Sequence, residues 1–118
     1  MIRAKCHCGN VSLLVTEKPA SLTNCNCSIC RRLGALWAYY VADEVELSFA
    51  KEKTAVYIWG YKYLEFHHCT ICGCCTHYTV TKLYVDKYKE QRVAINFRLV
   101  DIDVLKDIPL REFEGSDL

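Results

Sequence analysis

Cys69-Thr70-Ile71-Cys72-Gly73 stands between two runs of strand-forming residues, Tyr63-Leu64-Glu65-Phe66-His67-His68 before it and Cys74-Cys75-Thr76-His77-Tyr78-Thr79-Val80 after it. A C-x-x-C-G turn joining two strands presents two thiolates to one zinc ion. Upstream, Ala55-Val56-Tyr57-Ile58-Trp59 reaches Tyr63 across Gly60-Tyr61-Lys62, which adds a β-hairpin to the same unit. In the strand after the turn, alternation puts Cys74, Thr76, Tyr78 and Val80 on one face and Cys75, His77 and Thr79 on the other.

Two thiols do not complete a tetrahedral zinc site, so a second pair is required, and Cys6-His7-Cys8-Gly9-Asn10 supplies it. Cys6, Cys8, Cys69 and Cys72 therefore predict a closed, structural four-thiolate zinc that ties the first loop to the distant hairpin. His7, flanked by the two thiols, is expected to point to solvent. Val11-Ser12-Leu13-Leu14-Val15-Thr16, rich in β-branched residues, follows as a strand.

A second cluster has a different character. Cys25-Asn26-Cys27-Ser28-Ile29-Cys30-Arg31-Arg32 brings three thiols within six positions, at spacings that let short turns aim them at one centre. A zinc held by three protein ligands keeps a coordination position open, and that position distinguishes a catalytic zinc from a structural one. Cys25, Cys27 and Cys30 are the candidate catalytic zinc ligands, which makes two zinc ions per chain. Cys74 and Cys75 are surplus to both groups; a fourth thiol from Cys74 would close the second site and make it structural, and this alternative stands beside the first.

Elsewhere, Arg31 to Gly34 suits a helical turn ending at glycine. Leu36-Trp37-Ala38-Tyr39-Tyr40-Val41 reads as a buried strand, with Trp37 or Tyr40 a candidate pocket wall, and Val45 to Phe49 as a short strand. Lys82 to Arg92 is polar and tyrosine-rich, a loop with some helix and no evident chemistry. Val93-Ala94-Ile95-Asn96-Phe97-Arg98-Leu99 alternates, placing Val93, Ile95, Phe97 and Leu99 inward with Asn96 and Arg98 on the opposite face. Asp101 to Lys106 suits one helical turn capped by Asp101 or Asp103, before Ile108-Pro109 and a polar tail.

Composition sets the outer bounds. At 118 residues and 52% hydrophobic, the chain predicts one small domain over residues 1–118, with no repeats or linkers to divide it. A formal net charge of +1 gives no electrostatic footprint for nucleic acid or for an acidic membrane surface. No segment approaches the ~18 apolar residues of a membrane span. The start, Met1-Ile2-Arg3-Ala4-Lys5, has no apolar run, and the nine cysteines are odd in number and sit in close pairs. Neighbouring sulfurs of that kind converge on metal better than they bridge, so a reducing, cytoplasmic setting is expected. Glycine-rich phosphate loops, Ser-His-Asp signatures and paired carboxylates are absent.

Taken together, Cys6-x-Cys8-Gly9, Cys25-x-Cys27-x-x-Cys30-Arg31-Arg32 and Cys69-x-x-Cys72-Gly73 resemble the glutathione-dependent formaldehyde-activating enzyme family, whose zinc domain is shared with centromere protein V. The resemblance implies a mainly β architecture, the β-tent, in which antiparallel sheets lean together and are clipped by a structural zinc at Cys6, Cys8, Cys69 and Cys72. It implies a second zinc at Cys25, Cys27 and Cys30. The activity implied is that of a carbon–sulfur lyase, reversibly adding the thiol of glutathione to formaldehyde to give S-hydroxymethylglutathione. Three thiolates leave the zinc site negative, so neighbouring cations such as Arg31 or Arg32 would help to bind an anionic substrate, and Asn96 and Arg98 are further substrate-binding candidates if their face turns toward the same cleft. The alternative on the same fold is a non-catalytic zinc-binding interaction module, which predicts an exposed apolar patch. A sulfoxide-reductase chemistry would instead need a free nucleophilic cysteine, for which only Cys75 is available.

Overall fold

The computed structural model describes residues 1–115, so 116–118 of the polar tail lie outside the described residues. Two sheets lean against each other. The smaller is antiparallel and built from β1 (Ile2–Lys5), β2 (Val11–Val15) and β5 (Glu46–Phe49), with β2 in the middle. The larger has seven strands. In chain order these are β3 (Leu22–Cys25), β4 (Trp37–Val41), β6 (Ala55–Tyr57), β7 (Leu64–His68), β8 (Cys75–Val80), β9 (Arg92–Asn96) and β10 (Leu110–Phe113). In space they run β10-β3-β4-β9-β8-β7-β6. All pair antiparallel except β10, which lies parallel to β3 with Arg111 opposite Thr23 and Phe113 opposite Cys25.

Side chains alternate across a strand, so the large sheet has two apolar faces with different duties. One packs on the small sheet: Ala38, Tyr40, Val93 and Ile95 meet Leu13 and Val15 in the core under the tent. The opposite face carries Trp37, Phe66, Tyr78 and Ala94, which cluster with Cys25, Cys27 and Cys30. The mainly β, tent-like architecture expected from the sequence is what the chain forms. No helix among the described residues is long and apolar enough to cross a membrane.

Two local expectations need correction and two others gain definition. The strand expected over Val93 to Leu99 ends at Asn96, because the Asn96 carboxamide Oδ1 accepts the Arg98 N–H at 3.1 Å and turns Phe97–Leu99 into a 3₁₀ helix. Leu110–Phe113, read as part of a polar tail, is an edge strand. Lys82–Tyr88 is a defined helix, α2, whose N-terminus is capped by the Thr81 hydroxyl accepting the Tyr84 N–H. The short helix Ile102–Leu105 does start after Asp101, although its carboxylate makes no capping bond.

Under the tent, β7 and β8 place His67 opposite His77, and the rings stack with centroids 4.2 Å apart. His67 is held at both nitrogens, by Thr54 Oγ1 at 2.7 Å and Thr79 Oγ1 at 2.9 Å. His77 Nδ1 contacts Thr76 Oγ1 at 2.7 Å, whereas its buried Nε2 has no partner among the described residues. Burial, and then His67 beside it, pushes the His77 pKa down to about 3. The folded protein therefore refuses a proton that the unfolded chain accepts below about pH 6.5. Stability rises with pH between about 3 and 6.5 and the contribution is complete above that window, at up to about 1.4 kcal/mol per pH unit. Replacing His77→Phe should remove this component, so that urea titrations between pH 4 and 6 show a shallower pH slope than wild type. Parallel slopes for the two proteins would contradict it.

Candidate functional site

The loop between β1 and β2 and the turn between β7 and β8 meet at a group of four thiols. Cys6, Cys8, Cys69 and Cys72 have all their sulfurs within 4.8 Å of one another. Cys6 and Cys8 are 3.7 Å apart, and Cys8 and Cys69 are 3.6 Å apart. A tetrahedron with zinc–sulfur bonds of about 2.3 Å has edges of about 3.8 Å, so the spacing suits a zinc ion. Backbone N–H groups also point at the sulfurs as thiolates require: Val11 N–H to Cys6 at 3.2 Å, Ile71 and Cys72 N–H to Cys69 at 3.4 and 3.5 Å. The Cys74 N–H, outweighing partial burial, holds the Cys72 thiol down at about 5. Gly73 closes the turn at φ +83°, donating to Cys69 O at 2.9 Å, a backbone conformation that L side chains rarely adopt. His7 is exposed.

Asn10 locks this loop from the inside. Buried, it donates through Nδ2 to Glu52 O at 2.8 Å and accepts at Oδ1 from the Lys51 and Glu52 N–H groups. Its Nδ2 also approaches Cys69 Sγ at 3.6 Å.

The second group lies on the other face of the large sheet. Cys25 ends β3, Cys27 caps the helix α1 (Ser28–Leu33), and Cys30 sits in its first turn. The three sulfurs lie within 4.8 Å of one another and all three residues are buried. Cys30 N–H donates to Cys27 Sγ at 3.4 Å, and the Trp37 indole N–H donates to Cys30 Sγ at 3.3 Å. Gly34 ends the helix at φ +67°, donating to Cys30 O. Burial drives the Cys30 thiol up. Burial also raises Cys27, but N–H groups of Cys30 and Ile29 and the adjacent thiols outweigh it, so Cys27 is the more acidic of the two.

Neither surplus cysteine joins this group among the described residues. Cys74 sits by the four-thiol group, where Cys72 and Cys6 are its electrostatic neighbours. Cys75 packs beside the second cluster, and burial pushes its thiol up to about 12, which disfavours the thiolate that a sulfoxide reductase uses.

Cys25, Cys27 and Cys30 open onto a cavity of about 780 Å³. Both tryptophans and six of the eight tyrosines line it. Trp37 and Tyr39 come from β4, Phe66 from β7 and Tyr78 from β8, while Tyr84 and Tyr88 come from α2 and Phe113 from β10. Tyr40 faces the tent core instead, its hydroxyl donating to Glu17 O at 2.8 Å.

The polar residues singled out from the sequence lie elsewhere. Arg31 is exposed and outside the cavity, and Arg32, also outside it, donates to Ser28 O at 2.9 Å. Asn96 is a buried splice, accepting from the Leu36 N–H and donating to Cys75 O at 3.0 Å. Arg98 Nε donates to Gly34 O. The guanidinium groups that do line the cavity are Arg92 and Arg111. Arg92 donates to Glu90 at 3.0 Å and to the Tyr78 hydroxyl at 3.4 Å, and lies 4.6 Å from the Tyr39 ring centroid. Tyr84 and Tyr88 had a legible signal, an i, i+4 pair behind the N-cap Thr81. Arg111 had none, because all four residues of β10 are exposed and show no alternation.

The sequence model of the glutathione-dependent formaldehyde-activating enzymes matches residues 1–107. No curated protein matches the chain. A Rhodobacter sphaeroides protein, solved by crystallography as a structural genomics target, is similar in fold, with a TM-score of 0.70 over 92% of this chain and 99% of that one, at 24% identity.

Proposed function

Since the chain belongs to the glutathione-dependent formaldehyde-activating enzyme family, we propose that Cys25, Cys27 and Cys30 hold a zinc ion at which a small thiol adds reversibly to an aldehyde, in the manner of a carbon–sulfur lyase. Glutathione and formaldehyde are the pair that the family name indicates. Cys6, Cys8, Cys69 and Cys72 hold a second, structural zinc. The observation that carries the reading is the triad of buried thiols facing a cavity, with no fourth cysteine in the group among the described residues.

Zinc held there supplies a Lewis acid that lowers the pKa of an incoming thiol. The chain's own residues set the conditions. The Trp37 N–H draws charge from Cys30, and the Cys30 N–H does so from Cys27, which offsets the negative charge of three thiolates. The aromatic walls reduce the polar surface around the thiols that would hold water in competition with the incoming thiol. In the addition a sulfur–carbon bond forms, the carbonyl π pair moves to oxygen, and the proton lost by the thiol ends on that oxygen. The thiols must stay reduced to bind metal, which fits a cytoplasmic setting.

Replacing Cys27→Ala should abolish thiol binding measured by calorimetry on zinc-loaded protein, while the melting curve stays cooperative and one zinc per chain remains. Unchanged thiol affinity in that variant would overturn the assignment. A second reading, a non-catalytic zinc module, draws on the exposed Val56, Tyr57, Ile58 and Tyr61 along β6 and the loop after it. It predicts full zinc loading with no thiol binding at all.

A further inference from the structure

We infer that the thiol this cavity selects has a flat, apolar body and a carboxylate seated on Arg111, and that it is preferred over glutathione. The inference rests on the chemistry proposed at Cys25, Cys27 and Cys30 and narrows its substrate.

Glutathione carries two carboxylates, an ammonium group and two amides, each of which needs a partner when buried. The walls provide guanidinium groups and tyrosine hydroxyls but no partner for the ammonium. No Asp or Glu lines the cavity among the described residues, so the ammonium finds no counter-ion. Glu90, which is not among the lining residues, is engaged by two of them, by Arg92 Nε at 3.0 Å and by the Tyr84 hydroxyl at 3.3 Å. Arg92 is correspondingly neutralised. What the walls offer in quantity is aromatic surface, which stacks on a planar, apolar ligand and not on a peptide backbone.

Arg111 is placed for one anion. Its Nη2 donates to Thr23 Oγ1 at 2.7 Å and its guanidinium carbon lies 5.8 Å from the Phe113 ring centroid, so the fork is oriented from two sides. The strand register puts it on the same wall as the thiols: Phe113 is opposite Cys25, and Arg111 lies two residues, about 6.6 Å of strand, back along β10. A flat ligand with a thiol at one end and a carboxylate at the other has the form to meet both groups.

The test titrates the zinc-loaded, full-length protein with 4-(mercaptomethyl)benzoate, benzyl mercaptan and glutathione, by calorimetry and by the fluorescence of Trp37 and Trp59. The benzoate is expected to bind at least about tenfold more tightly than either of the others, the margin of a charge-assisted hydrogen bond. Arg111→Gln should erase its advantage over benzyl mercaptan, with Arg111→Lys restoring part of it, and Cys27→Ala should weaken all three. Equal affinities for the two aromatic thiols in the unaltered protein would remove Arg111 from the site without recourse to a variant. Glutathione binding as tightly as the benzoate, while still requiring Cys27, would overturn this inference and leave the proposed chemistry standing. Binding of all three that ignores Cys27→Ala, or no binding by any thiol, would overturn the chemistry as well.

Discussion

Replacing Cys69→Ala is expected to leave the chain without a stable fold. Cys69 is fully buried and collects N–H donors from Ile71, Cys72 and Asn10, so it is the most enclosed sulfur of the four-thiol group. That group joins the β1–β2 loop of the small sheet to the β7–β8 turn of the large one, and removing one of four thiolates opens the clip. Structural zinc contributes on the order of 10–16 kcal/mol in small zinc peptides. The whole net stability of a domain is about 5–15 kcal/mol. Losing most of the first therefore consumes the second. Circular dichroism and thermal melting of protein refolded with zinc give the readout, and a strong chelator should act on wild type in the same way. A cooperative melt near the wild-type temperature in Cys69→Ala would show that the sheets hold together without the clip.

Trp37→Ala should cost about 3–5 kcal/mol of unfolding free energy, the usual range for deleting a large buried aromatic. Trp37 is 1% exposed and meets Tyr78 edge-on at 5.0 Å and Phe66 at 6.2 Å between ring centroids. Its indole N–H is also the donor to Cys30, so the substitution loosens the three-thiol group as well as the aromatic cluster. Trp37→Phe separates the two effects, because it keeps most of the ring packing and loses the donor. Urea unfolding reads the first effect and the affinity of the three-thiol group for added zinc reads the second. A loss under about 1 kcal/mol for Trp37→Ala would mean that the aromatic cluster is not the core of this face.

The parts of this molecule that the sequence announces are those in which residue type and spacing are both constrained. Cys69-Thr70-Ile71-Cys72-Gly73 and Cys6-x-Cys8 declare their meeting because thiols so spaced have few other uses, and the sulfurs do lie together. The hairpin of β6 and β7 was likewise legible from two strand-forming runs around Gly60. The cavity was not. Its walls come from alternate residues of strands buried on both faces, where alternation of apolar with polar residues disappears. Ala94 and Ile95 are both fully buried, and nothing in their identities says which one faces the thiols. The cavity's guanidinium groups were hidden for a related reason: Arg31 and Arg32 follow Cys30 in the chain, but both are exposed and outside the cavity, whereas Arg111 reaches it through a parallel pairing that sets it against Thr23, 88 residues away.

That parallel pairing divides labour within the fold. Within the large sheet, the strands that lead into thiol-bearing turns, β3, β7 and β8, are bonded on both sides, where any change disturbs two neighbours. β10 is a border strand of four residues, bonded on one side, and it carries both Arg111 and Phe113. Its backbone pairs with β3, with Phe113 opposite Cys25, but its side chains form wall and not thiol group. Side-chain exchanges at Arg111 and Phe113 therefore change the cavity wall without replacing a thiol, which makes wall and thiols separable by substitution.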